Sequence, residues 1–141
     1  MAKKVRELMS EQPITLSTST PIIEAARRMR AANVGSVIIE ENGRPSGIVT
    51  DRDIAVRAVA DGRDPERTPV SAICSKDLTT VSPDDDLDRA VQVMREKAIR
   101  RVLVVDPRSW AVVGILSLGD LALERDGRSV LGQISAAPPN Q

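Results

Sequence analysis

An internal repeat is the feature that most limits what this chain can fold into. The segment from Gly47 to Ile54 reads GIVTDRDI, and the segment from Gly114 to Leu121 reads GILSLGDL. Each copy opens with glycine and two branched apolar residues, and each has an aspartate three positions after a hydroxyl residue. A long repeat that occurs only twice predicts two half-domains related by pseudo-twofold symmetry around one shared core, with a site in the groove between them.

The composition narrows the classes of partner. At 141 residues the chain has the length of one compact domain, and its core must be aliphatic because aromatic residues make up 1% of the sequence. The 20 basic and 20 acidic residues cancel, and the sequence pI is about 6.3. Nucleic-acid binding requires a dense basic face or aromatic platforms for base stacking, so the composition argues against a nucleic-acid partner.

The absence of histidine limits the catalytic mechanisms and metal sites that this chain can form. A general base working at neutral pH would have to be a carboxylate or a lysine with a strongly shifted pKa, and no histidine triad or histidine-containing zinc site can form. We therefore expect no catalytic residue, no enzyme activity and no metal site. The chain has one cysteine, no apolar run of about 18 residues and no charged-then-apolar leader, so we expect a cytoplasmic protein without a membrane partner.

Hydrophobic periodicity predicts the order β-α-β-β-α in each half, and hence an α/β fold. Short strands are expected over 14–16 and 79–81, and strand pairs over 36–40 with 46–49 and over 102–106 with 112–116. The pair Asn42-Gly43 predicts a tight hairpin turn in the first half. The predicted organisation is a first repeat over 5–62, a linker over 63–69, a second repeat over 70–125 and a C-terminal tail over 126–141.

The helices are predicted from their caps and apolar stripes. The first helix of each half is expected to be capped by Thr20 or Asp85. The expected inner stripes are Ile22, Ala26 and Met29 in the first half, and Leu87, Val91 and Met94 in the second. The second helix of each half is expected over 51–60 and from Ser117 onward. Cys74 occupies the place that Met9 has in the other copy, so we expect a small buried residue there rather than a nucleophile.

The pairs Thr50 with Asp53 and Ser117 with Asp120 have two interpretations. In the first, each pair is a capping box, in which the hydroxyl accepts from the amide three residues on and the carboxylate accepts from the capping residue's amide. In the second, the carboxylate at the helix start binds the two hydroxyls of a ribose. The preceding glycines, which allow close backbone approach, favour the second interpretation, and the two interpretations are compatible.

These motifs carry a resemblance to a known family. The pattern of glycine, two apolar residues, Thr or Ser, two variable residues and Asp, at the end of a tandem β-α-β-β-α unit, resembles the CBS domain pair, or Bateman module. The segment from Arg100 to Asp106 also resembles a family segment before the middle strand of a repeat. The resemblance covers roughly residues 5–125, and it implies two CBS repeats packed with pseudo-twofold symmetry into one regulatory module.

The resemblance also implies a ligand and the residues that bind it. Members of the family bind adenosine-type ligands in the cleft between repeats: AMP, ADP, ATP, S-adenosylmethionine and in some cases NAD. By analogy, Asp53 and Asp120 would take the ribose hydroxyls, and Thr50 and Ser117 would contact ribose or phosphate. Adenine would lie near the first short strand of each repeat, around Ile14 and Leu16 or Thr79 and Val81.

The two sites are expected to differ. In relatives, basic residues of one repeat can face phosphates held by the other repeat, so Thr50 and Asp53 would share Arg100 and Arg101 and take a phosphorylated nucleotide. Ser117 and Asp120 would instead meet Gly35 and Ser36, which carry no charge, so this second site would be weak, empty or suited to an uncharged adenosine moiety. The alternative for Arg100 and Arg101 is a solvated pair at a helix end, where positive charge interacts favourably with the helix dipole. The resemblance further implies a homodimer and an effector protein that the sequence does not identify. The alternative is a structural or protein-interaction scaffold without a ligand, in which both motifs act only as helix caps.

Overall fold

The computed structural model describes residues 3–11, 13–76 and 78–125. The chain divides into two compact units. The central unit comprises residues 14–78, and the terminal unit comprises residues 1–13 together with residues from Thr79 onward. Both units contain strands and helices, which confirms the predicted α/β class. The predicted tail over 126–141 lies outside the described residues.

The central unit contains a three-stranded sheet in the order β2-β3-β4. Strand β2 (Thr15–Ser17) runs parallel to β3 (Ser36–Glu41), which pairs antiparallel with β4 (Arg44–Thr50). Helix α1 (Ile22–Ala32) connects β2 to β3, and α2 (Asp51–Asp53) follows β4 and continues as a π-helix over Ile54–Val59. A 3-10 turn at Val70–Ala72 completes this unit.

The terminal unit repeats this arrangement with a fourth strand. Its sheet has the order β1-β7-β6-β5, formed by β1 (Ser10–Glu11), β5 (Thr80–Val81), β6 (Arg101–Val105) and β7 (Val112–Ser117). Helix α3 (Leu87–Lys97) connects β5 to β6, and α4 (Leu118–Arg125) follows β7. A 3-10 turn at Val5–Glu7 precedes β1. Each unit has its own cluster of buried apolar side chains, so the single shared core expected from the repeat was wrong.

The segment that leads each sequence repeat packs into the unit formed by the other repeat. Val5, at the start of the chain, is fully buried in the core of the terminal unit, and Val70 is fully buried in that of the central unit. Strand β1 pairs with β7, so that Ser10 lies opposite Ile115. In the same way, the amide of Ser75 donates to the carbonyl of Ile48 at 2.9 Å. Each compact unit therefore combines most of one sequence repeat with the lead segment of the other.

The glycines that begin the two repeated segments make room for these lead segments. A Cβ on Gly47 would lie 2.8 Å from Sγ of Cys74, and a Cβ on Gly114 would lie 2.7 Å from Sδ of Met9. Cys74 thus has the same place as Met9, as predicted, although it is half-buried rather than buried. The atoms that approach both glycines closely belong to side chains and backbone of the protein's own lead segments, so the glycines no longer favour the ribose interpretation.

The first helix of each half begins later than predicted. The N-caps are Pro21 and Asp86, not Thr20 and Asp85, and neither makes a side-chain capping bond. Main-chain carbonyls from distant segments take that role, because the amide of Ile22 donates to Thr68 and the amide of Leu87 donates to Lys3. An N-terminal amide that already has such a partner gains little from a capping side chain. The carboxylate of Asp85 accepts instead from the amide of Ser82 at 2.9 Å.

The inner stripes of these helices also differ from the prediction at one position each. Ala25 and Ala90 are fully buried, whereas Ala26 and Val91 are only half-buried. The helix expected over 51–60 is α-helical for three residues and then π-helical, as shown by the amide of Ala60 donating to the carbonyl of Ala55. The strand pairs were predicted correctly.

The predicted hairpin turn is confirmed. Asn42 and Gly43 both have positive φ, 55° and 77°, as a type I′ turn requires. The turn joins β3 to β4 with Glu41 opposite Arg44.

Candidate functional site

The first motif forms a complete capping box at the junction of β4 and α2. Oγ1 of Thr50 accepts from the amide of Asp53 at 3.1 Å, and Oδ2 of Asp53 accepts from the amide of Thr50 at 2.9 Å. The other carboxylate oxygen, Oδ1, lies 3.9 Å from Nε of Arg57, and the Asp53 side chain is 16% exposed. Arg57 also donates from Nη1 to the carbonyl of Ile73 at 3.3 Å. The carboxylate oxygen of Asp53 that is not part of the capping box therefore faces the guanidinium of Arg57, which is positioned by its hydrogen bond to Ile73.

The second motif forms the same box at the junction of β7 and α4, with one additional bond. Oδ2 of Asp120 accepts from both the amide and the hydroxyl of Ser117, each at 2.9 Å. Oγ of Ser117 accepts in turn from the amide of Asp120 at 3.2 Å. Within the described residues, Oδ1 of Asp120 has no hydrogen-bond or ion-pair partner. The predicted capping interactions therefore form at both motifs, and in the second they leave one carboxylate oxygen available.

Arg100 and Arg101 lie beside the second motif in the terminal unit. Arg101 is directly opposite Ser117 in the antiparallel pairing of β6 with β7, and the amide of Leu118 donates to the carbonyl of Arg100 at 2.8 Å. Residues directly opposite in such a pair project their side chains from the same face of the sheet. Both arginines are exposed, and neither forms an ion pair within the part of the chain that is described. The cationic side chain of Arg101 therefore projects from the same face of the sheet as the side chain of Ser117.

In the central unit the strand pairing beside the first motif is the same, but the residue opposite the motif's hydroxyl residue is uncharged. Ser36 lies opposite Thr50, and the amide of Asp51 donates to the carbonyl of Gly35 at 3.0 Å. The equivalent of Arg101 is therefore a serine. The predicted grouping of the first motif with Arg100 and Arg101 joins residues of different units and stays a prediction.

The residues expected around adenine separate into two kinds. Leu16 and Val81 are 9% and 6% exposed and belong to the cores of their units. Ile14 and Thr79, which come just before β2 and β5, are half-buried. The carbonyl of Ile14 accepts from the amide of Ile38 at 2.8 Å, and that of Thr79 accepts from the amide of Leu103 at 3.0 Å. Ile14 and Thr79 are therefore the members of this set that remain partly open to a ligand.

Sequence reasoning missed Arg57, the residue that faces Asp53. A signal was present, since aspartate and arginine four positions apart on a helix lie on one face. The corresponding position after Asp120 is Glu124 in the sequence, so the two motifs differ in charge at this point. Among the described residues, no three His, Cys, Asp or Glu side chains are grouped as a metal ion would require. A separate search of these residues identifies no helix that is long and apolar enough to span a membrane.

Comparison with known proteins agrees with this arrangement. The family model of the CBS domain matches residues 5–59 and 70–127. The CBS domain-containing protein YhcV of Bacillus subtilis is 42% identical over 121 residues, which cover 86% of this chain and 84% of that protein. Both repeats therefore match the family, and the match extends over most of the chain.

Solved structures give the same result. The CBS domain protein PAE2072 from Pyrobaculum aerophilum, complexed with AMP, has a TM-score of 0.77 at 32% identity, covering 87% of this chain and 93% of that one. The CBS domain pair of protein MJ0100, in complex with 5′-methylthioadenosine and S-adenosyl-L-methionine, has a TM-score of 0.79 at 28% identity, covering 92% and 100%. A hexameric CBS-CP12 protein from bloom-forming cyanobacteria has a TM-score of 0.78 at 26% identity, covering 89% and 74%.

Proposed function

Because this chain belongs to the CBS domain family, we propose that it is a regulatory module that binds adenosine-type ligands. The observation that carries the proposal is Oδ1 of Asp120, which has no hydrogen-bond or ion-pair partner within the described residues and is held at the start of a helix by a capping box that fixes the other carboxylate oxygen. A carboxylate oxygen in this position can accept from a ribose hydroxyl. The AMP and S-adenosylmethionine complexes of the related structures support the choice of ligand class.

We propose that the two motifs contribute unequally to binding. Asp53 would have to share its second oxygen between Arg57 and a ribose, whereas Asp120 would not. Ile14 and Thr79 would border the adenine. The candidate ligands are AMP, ADP, ATP and S-adenosylmethionine, and binding would act by stabilising one state of the protein that an effector protein recognises.

Thermal unfolding with each candidate ligand tests this proposal. A ligand present at 100 times its dissociation constant adds about 2.7 kcal/mol of stability, which is a shift of roughly 8–10 °C for a domain of this size. We expect Asp120→Asn to remove most of the shift while keeping the cap, since an amide oxygen can still accept from Ser117. Asp51→Asn is the matched control, because within the described part of the chain this exposed carboxylate accepts only from the neighbouring amide of Arg52.

The scaffold without a ligand is the second candidate. It is favoured by the fact that the side chains of Thr50, Asp53, Ser117 and Asp120 each already accept a hydrogen bond within a capping box. In that case no adenosine derivative would shift the unfolding of protein that has been freed of bound nucleotide. Asp53→Asn and Asp120→Asn would then leave all measured properties nearly unchanged.

We also propose that Arg100 and Arg101 bind the phosphate of a nucleotide. A guanidinium forms paired hydrogen bonds to phosphate oxygens. The sequence groups these arginines with the first motif, whereas the register of β6 with β7 favours the second motif. If Arg101 binds phosphate, Arg101→Ser should weaken AMP binding by roughly 10–100-fold and leave adenosine binding nearly unchanged.

A double-mutant cycle decides which motif the arginines serve. Arg101→Ser combined with Asp120→Asn should give a non-additive loss of AMP affinity if both groups hold one ligand. The same coupling with Asp53→Asn would instead support the grouping expected from the sequence. The equivalent change Ser36→Arg tests sufficiency, because it places a guanidinium opposite Thr50 in the central unit.

We propose a homodimer formed through the exposed apolar surface of the central unit. Val34, Val56 and Val59 are 40%, 48% and 72% exposed, and association of two copies through these side chains would remove apolar surface from water. Val59→Asp should convert the dimer to a monomer in analytical ultracentrifugation, and Arg63→Asp is the control at a polar position. A hexamer, as in the cyanobacterial relative, or a monomeric wild type would contradict the dimer.

The proposal includes a cytoplasmic location and no catalytic activity. Incubation with ATP followed by analysis of the products tests the second point, and any turnover that depends on Asp53 or Asp120 would contradict it. We propose no nucleic acid and no membrane as partners. A gel shift that persists at moderate salt would contradict the first of these.

A further inference from the structure

Arg57 is the charged side chain that faces the first motif. Its Nε lies 3.9 Å from Oδ1 of Asp53, and its Nη1 donates to the carbonyl of Ile73 at 3.3 Å. The first distance is too long for a hydrogen bond, so the guanidinium offsets the charge of the carboxylate without occupying the lone pairs of Oδ1. Arg57 is therefore held beside the oxygen that a ribose hydroxyl would use at this motif.

The interactions that hold Arg57 are weak enough to be exchanged. Its side chain is 53% exposed, and an ion pair with so much contact with water contributes little stability. A donor–acceptor distance of 3.3 Å is also longer than usual for a hydrogen bond. Arg57 lies in the π-helical turn Ile54–Val59, a rare geometry that occurs frequently at functional sites. The guanidinium would therefore exchange both partners for a stronger anion that a ligand brings next to it.

The two motifs have their cationic side chain at different places. Arg101 lies on the strand opposite the hydroxyl residue of the second motif, whereas Ser36 has that place at the first. The position four residues after the aspartate is Arg57 at the first motif and Glu124 at the second. The central unit thus supplies a cation beside its own motif from the helix instead of from the strand.

We propose that Arg57 determines ligand specificity at the first motif by favouring phosphorylated ligands over uncharged ones, which rests on the proposed binding of adenosine-type ligands. A ribose hydroxyl would donate to Oδ1 of Asp53 while the nearby guanidinium offsets the charge that strengthens this bond. A phosphate group would in addition accept paired hydrogen bonds from Arg57. Adenosine therefore competes with Arg57 for Asp53, whereas AMP uses Arg57 as a second binding group.

Titration calorimetry with AMP and with adenosine in an Asp120→Asn background tests this role at the first motif. Arg57→Gln should weaken AMP binding by about 10-fold, because a charged hydrogen bond to phosphate is lost. The same substitution should strengthen adenosine binding by about two- to five-fold, because an ion pair that competes for Asp53 is removed. A residue that only stabilises the fold would not change the two affinities in opposite directions.

Arg52→Gln is the matched control. It removes one positive charge from an exposed residue next to the motif, and Arg52 forms no ion pair within the described residues. It should change both affinities by the same small factor. Arg57→Lys keeps the charge without the forked donors, so it should recover only part of the AMP affinity.

An Arg57→Gln variant in which AMP binding is not weakened relative to adenosine binding would overturn the role of Arg57 and leave the proposed function intact. Loss of all binding in the Asp120→Asn background, with binding by the wild type, would also overturn it, because the first motif would then take no ligand. If the wild type binds neither AMP nor adenosine but S-adenosylmethionine raises its Tm, only the role of Arg57 is wrong. No Tm shift with any adenosine derivative would contradict the proposed function as well.

Discussion

Replacing Gly114 by alanine tests the arrangement in which the N-terminal segment packs into the terminal unit. The added Cβ would lie 2.8 Å from the carbonyl oxygen of Ser10 and 2.7 Å from Sδ of Met9. The Ser10 oxygen belongs to the backbone of β1, which pairs with β7 at this point, so it can move away only if the strand moves. Overpacking of this kind costs about 2 kcal/mol, or roughly 8 °C in Tm.

The equivalent change in the central unit should behave differently. A Cβ on Gly47 would lie 2.8 Å from Sγ of Cys74, but its nearest backbone atom, the carbonyl oxygen of Ser75, is 3.1 Å away. Cys74→Ala removes the closest atom, so it should recover part of the stability lost in Gly47→Ala. Met9→Ala should recover little in Gly114→Ala, because the Ser10 oxygen remains in place.

Urea unfolding of the four single and two double variants measures these couplings. The reasoning would be refuted if Gly114→Ala changed the free energy of unfolding by less than about 0.5 kcal/mol. Full recovery by Met9→Ala would also refute it, because the obstacle would then be a flexible side chain rather than the β1 backbone.

Four further substitutions test the packing and the charges of the fold. Val5→Ala should cost about 2 kcal/mol, and hydrogen exchange should then increase in β6 and β7 but not in the central unit, where Val70→Ala should have the converse effect. Ala98→Gly should raise stability by about 1 kcal/mol in thermal unfolding, because this residue ends α3 with a φ of 54°; unchanged or lower stability would contradict this. The pKa of Lys4 is raised above 10.5 by its hydrogen bond to Asp86, so its stabilising effect is complete below pH 10.5 and is lost as the pH rises through the raised value. A stability difference between wild type and Lys4→Gln that is unchanged at about pH 12 would contradict that assignment.

Several features of the fold could be predicted because they depend on neighbouring residues. The Asn42-Gly43 turn followed from the positive φ that only a few residue types adopt readily. The capping boxes at Thr50 and Ser117 were an explicit alternative, because their partners lie three positions apart.

The sequence by itself therefore determined the repeat, the α/β order of elements, the hairpin and the family. Only the tertiary structure decided that each lead segment joins the other unit, that distant carbonyls cap α1 and α3, and that Arg101 lies opposite Ser117. Hydrophobic period and turn chemistry report interactions a few positions apart. A strand as short as β1 can find its partner only through burial and backbone pairing far along the chain, and local sequence does not encode that choice.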